Sequence, residues 1–155
     1  MAQQTANGVL LNEGTEASLA AMIAGVPLAG AKLHLYKSGF SPTPGSVAAD
    51  FAAQECDYTG YAAVAMTYSA IGVDSGGNPT VLSNRAFFQA TDAVAPNVVG
   101  GCWVEHPVTG PPVTSTAIEF YPFSPQLNLT TPGAFIGVVI AFQIPAGPGY
   151  AIVDN

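Results

Sequence analysis

Between residues 134 and 144 the chain keeps a period of two. Ala134, Ile136, Val138, Ile140, Phe142 and Ile144 fall on one face, and Phe135, Gly137, Val139, Ala141 and Gln143 on the other. Such alternation is the mark of a strand. Both faces are largely apolar, so this strand is expected to be central and covered on both sides.

The same period recurs upstream. Lys32-Leu33-His34-Leu35-Tyr36-Lys37 alternates with Leu33 and Leu35 inward. Residues 61–71, 81–89, 98–105 and 118–123 read as further strands, the last ended by Pro122 and Pro125. Asp74-Ser-Gly-Gly-Asn-Pro79 is a turn cluster that predicts a hairpin. Gly100-Gly101 inside a strand predicts a bulge or a close backbone approach. Residues 38–45, 91–97 and 107–112 read as loops, 145–150 as a rigid tail, and 47–51 as either a strand start or a single turn. Thirty Gly and Pro residues in 155 punctuate these runs every eight to twelve positions. That spacing predicts a mostly β chain, an antiparallel β-sandwich or barrel-like domain.

One helix is expected, short and N-terminal. Asn12 or Thr15 can cap it, Glu13 and Glu16 suit its positive end, and Leu19, Met22 and Ile23 share a face. Gly25 and Pro27 stop it. Residues 1–10 are small and polar and read as an N-terminal arm, with residues 11–155 forming a single β-rich domain.

Charge limits function. Only 8% of residues are charged, with Lys32, Lys37 and Arg85 against ten acids, and the net charge is −7. Three scattered bases cannot neutralise a run of phosphates, so no nucleic acid is expected as a partner. The same deficit argues against an anionic membrane surface, and the apolar run 133–144 is too short for a spanning helix. The N-terminus shows no basic region followed by an apolar core, so no secretory signal is expected. A free monomer of this size usually carries about 25–35% charged residues on its surface. A chain so poor in ions is expected to be covered by neighbouring protein.

The residues offer little chemistry. His34 lacks a sequence-local carboxylate and is expected to be exposed or at an interface, and His106 marks a strand end. Cys56 and Cys102 form no CxxC and are expected to be reduced and buried. Glu55 and Asp57 beside Cys56 oppose a reactive thiolate. The 74–78 turn has one carboxylate where a calcium loop needs several. Asn128-Leu-Thr130 matches the glycosylation sequon by chance. No catalytic, cofactor-binding or metal-binding residue is assigned, and no cofactor or enzymatic activity is expected. Trp103, Tyr68, Phe87, Phe88, Phe120, Tyr121 and Phe123 are expected to fill the core and subunit contacts. Arg85 is expected to pair with an acid such as Glu105 or Glu119.

Several short motifs carry a resemblance. They are Lys32-Leu33-His34-Leu35-Tyr36, the Ser-Gly-Phe-Ser-Pro-Thr-Pro loop, Ala49-Asp50-Phe51, Thr59-Gly60-Tyr61-Ala62, Leu82-Ser-Asn84, Phe87-Phe88 with Ala90-Thr91, and Val98-Val99-Gly100-Gly101-Cys102-Trp103-Val104. Over residues 9–145 the chain resembles a family of small structural proteins of tailed-bacteriophage virions, capsid decoration (cement) proteins and related head and tail components. The resemblance implies a structural subunit on the capsid exterior, made in the host cytoplasm, with the major capsid protein as partner. A homo-oligomer is expected, a trimer first. The alternative is a tail or fibre-associated component that binds host carbohydrate through exposed aromatics.

Overall fold

The computed structural model describes residues 3–24, 30–74, 76–91, 97–107, 115–129, 131–143 and 150–154. Within them the chain forms two antiparallel sheets packed face to face, with two helices on the outside of one sheet. The first sheet contains β1 (Gln3–Asn7), β5 (Gly72–Val73), β6 (Pro79–Leu82), β7 (Ala86–Gln89), β10 (Phe135–Gln143) and β11 (Tyr150–Asp154). Its order is β1-β11-β10-β6-β5, with β7 also paired to β10. The second sheet contains β2 (Val9–Leu10), β3 (Lys32–Lys37), β4 (Val64–Ala65), β8 (Asn97–Pro107) and β9 (Ser115–Leu129), in the order β2-β9-β8-β3-β4.

The period-two faces account for the layers. Ile136, Val138 and Ile140 of β10 point between the sheets and are fully buried. They meet Leu33 and Leu35 of β3, Cys102 and Val104 of β8, and Tyr121 and Phe123 of β9 in one core. The inward leucines of β3 are those that the alternation selects. β10 is central by pairing, with β11 on one side and β6 and β7 on the other. Its second face is less covered than expected, since Phe135 and Val139 are only half-buried.

Residues 3–10 correct the expectation of an arm. β1 pairs along its whole length with β11, and β2 pairs with β9 at Phe120 and Glu119. One residue separates the two strands, so the chain crosses there from the first sheet to the second. A polar, small-residue strand fits this edge, where Ala6 turns into the core and the Gln4 amide is buried beside it.

α1 (Asn12–Ala24) is the expected helix, but its start works differently. Thr15 does not cap; its hydroxyl and its N–H both bond the Leu11 carbonyl. Glu13 reaches out of the helix instead, accepting the N–H of Ala48 and of Ala117. Gly14 lies against the backbone of Ile118, so the helix docks on β9 where it has no Cβ. The ambiguous 47–51 run is a second helix, α2 (Ala48–Ala53), whose Asp50 accepts the Val47 N–H at its start. Phe51 enters a smaller core on the outer face of the second sheet, with Leu11, Tyr36, Trp103 and Phe120.

Three strand expectations shift. Residues 61–71 pair only at β4 and at a single Tyr68–Ser83 bridge. Residues 81–89 divide into β6 and β7, both on β10. β9 does not stop at its prolines but runs through Pro122 and Pro125. Beyond Phe120 it has no β2 partner, and prolines are tolerated on such an edge. The 74–79 hairpin is present between β5 and β6. Most of the 91–97 and 107–112 loops, the tail 145–149, and Gly25 and Pro27 lie outside the described residues.

Candidate functional site

His34 lies on the outward face of β3, as its alternation predicts, but that face is covered and the residue is 7% exposed. Its Nδ1 is 2.7 Å from Glu55 Oε1 and its Nε2 is 3.0 Å from Glu105 Oε2. The carboxylates come from 21 and 71 residues away, from the segment after α2 and from β8. The Tyr61 hydroxyl donates to Glu55 at 2.6 Å and accepts the Leu35 N–H at 3.0 Å. Opposite His34 in the register is Trp103, whose ring stacks on the imidazole at 4.5 Å and on Phe51 at 5.0 Å. The cluster therefore joins β3, β8, the α2 segment and the Tyr61 loop.

Burial raises the Glu55 carboxyl, but the hydrogen bonds from His34 and Tyr61 and the charge of His34 outweigh it, and the group sits below the usual carboxylate range. Burial, the bond to Glu55 and its negative charge push the Tyr61 phenol far up. Chemically the arrangement is a closed one. A catalytic base needs a ring nitrogen free to take a substrate proton, and here each nitrogen faces a carboxylate. The two carboxylates lie at opposite nitrogens of the ring, so they do not converge on one point where an ion could bind.

The other sequence candidates are dispersed. His106 is buried at the end of β8 with its Nε2 unpartnered. Cys56 and Cys102 are buried and free. The Cys56 thiol is pushed up to about 12, first by burial, with Asp57 and Glu55 adding to it against Lys37. Asp74 accepts the N–H groups of Gly76 and Asn78 and so closes its own turn. Arg85 pairs with neither Glu105 nor Glu119 but with Asp154 of β11 at 2.5 Å. Glu119 is instead in the core, accepting the Tyr121 hydroxyl.

The aromatics separate into two groups. Trp103, Phe88, Phe120, Tyr121 and Phe123 are buried as expected. Trp103 exposes no ring face, so it cannot serve as the platform of a sugar-binding site. Tyr68 and Phe87 are exposed. Phe87 is 59% exposed on the outer face of the first sheet, 6.2 Å from Phe135. By register that face also carries Val139, Ile152 and Leu82. Beside it the β5–β6 hairpin presents Ile71 and Val73, 78% and 74% exposed. Leu82, Val73 and Ile152 border a shallow cleft of about 300 Å³ there.

The two outer faces are thus unlike. The helices cover that of the second sheet; no described helix lies over that of the first, although Gly137 and Ala141 on it are buried. A second cleft, about 490 Å³, opens between the 38–44 loop and β9 and has no charged side chain in its lining. No helix among the described residues is long and apolar enough to cross a membrane. Comparison with protein-family models, with curated proteins and with solved structures finds no match to this chain.

Proposed function

We propose that this chain is a structural subunit of a bacteriophage virion, a decoration protein that binds the outer capsid lattice and bridges neighbouring capsomers. The observation that carries the reading is the apolar outer face of the first sheet, where the exposed Phe87 and Leu82 lie with the half-buried Phe135, Val139 and Ile152. Apolar sheet faces of this kind are contact surfaces. The scarcity of charge supports the same reading, since three bases and ten acids leave few ionic groups to solvate an exterior. The mechanism is thermodynamic: each subunit buries neutral surface on more than one capsomer, and several modest contacts become collectively strong. The reading expects a trimer at local threefold positions and the major capsid protein as partner.

The test is the mass of the purified protein in solution, alone and with empty capsid shells. Oligomers that bind shells saturably are the expected result. A monomer indifferent to shells overturns the reading.

A further inference from the structure

We propose that His34, held between Glu55 and Glu105, is a two-sided pH clasp that fastens the α2 segment over Trp103. It is closed only while the ring carries both protons and both carboxylates are ionised. A neutral imidazole has one N–H and can donate to one carboxylate only; its other nitrogen then turns a lone pair toward an anion. A protonated carboxyl likewise stops accepting from the ring. The clasp therefore loosens on either side of a middle range. Loosening releases Glu55, and with it the segment that seats Phe51 on Trp103.

Among the described residues, several groups surround the ring. β8 contributes Glu105, and the α2 segment contributes Glu55, followed by Cys56 and Asp57, the latter paired with Lys37 at 2.7 Å. The Tyr61 loop contributes its phenol. On β3 itself Lys32 and Tyr36 flank the ring on the same face, and Lys32 is opposite Glu105 in the register. Burial pushes the phenols of Tyr36, Tyr58 and Tyr61 up, and it pushes the Cys56 thiol up to about 12. On the acid side Glu55 is held low, so its share of stability is present above the ordinary carboxylate range. That share is lost as pH falls through the lowered folded value.

Trp103 is the only tryptophan, so its emission and its quenching by acrylamide report the cover directly. Quenching in the full chain is expected to be least in the middle range and to rise on both sides. Ring ¹⁵N shifts of His34 should show both nitrogens protonated in that middle range. His34→Gln should lose the alkaline arm. Glu105→Gln should keep the bond to Glu55 and move the alkaline arm down by about one pH unit or more, since one stabilising anion is gone. Circular dichroism on the same samples checks folding. If His34→Gln does not fold, Glu105→Gln and the ¹⁵N signature decide. A single neutral tautomer across the whole range overturns the proposal. So does an alkaline arm that survives in His34→Gln, or one that does not move in Glu105→Gln.

Discussion

At Gly101 a single hydrogen atom decides whether the second sheet can close. A Cβ there would overlap the Tyr36 hydroxyl and the Tyr121 carbonyl oxygen. The first could swing away, but the second is backbone of the neighbouring strand and is fixed by the β8–β9 ladder. Gly100 beside it is nearly as confined, with the Ser38 Cα 2.8 Å from where its Cβ would stand. The ladders slip here on both sides, between Val99 and Gly101 against β9 and between Tyr36 and Lys37 against β3. A glycine pair within a strand was a readable sign of this; the ring lying over it was not, because Tyr36 is 65 positions away in sequence. Gly101→Ala is expected to cost about 2–4 kcal/mol through overpacking and strand displacement. Gly39→Ala, which meets no atom within 4 Å, should change stability by under about 0.5 kcal/mol. Urea unfolding of the two variants measures the difference.

Among the elements, those with an uninterrupted period were legible and those formed by tertiary demand were not. β3 and β10 alternate over their whole length, and the side chains that the alternation turns inward are those in the core between the sheets, although β3 is buried on both faces. α2 has six residues and no repeat to read; it forms because Phe51 has an aromatic core to enter and Glu13 has an N–H to hold at its start. β9 was cut short on paper by its prolines, yet at a sheet edge a strand can lack a donor. β1 was hidden by its own composition, since Gln-Gln-Thr-Ala-Asn carries only one apolar side chain that turns into the core, and the other buried one is the polar Gln4. Its partner is the last strand of the chain, β11, almost the full length of the sequence away. An arm can be removed without harm, whereas an edge strand cannot. Deleting residues 1–7 uncovers the donors and acceptors of β11 and opens the core at Ala6. Thermal unfolding should show a loss of about 2–4 kcal/mol and a greater tendency to aggregate through the bared edge. A truncated chain that melts with the full one would mean that β1 adds nothing to the fold.

At the scale of the whole molecule, composition and architecture point the same way, and the site was the least legible part. No local pattern around His34 announces Glu55 or Glu105, because the sheet brings the three together only after β3 pairs with β8 and α2 folds back. The scarcity of charge, by contrast, is visible in any count. It fixes what kind of contact the molecule can make. With three bases and a net charge of −7, two copies repel one another, and an acidic partner would be repelled as well. Arg85 on the outer face of the first sheet is already engaged by Asp154. A contact made there by Phe87, Leu82 and Ile152 draws on apolar burial, which salt does not screen. Salt between about 50 and 500 mM weakens the repulsion. Affinity for empty shells is therefore expected to hold or rise over that range. Phe87→Asp should lower it by about tenfold or more at either concentration, with melting unchanged because the side chain already faces water. A steep fall with salt, or full affinity in Phe87→Asp, would move the contact from this face to the acidic surface elsewhere on the domain.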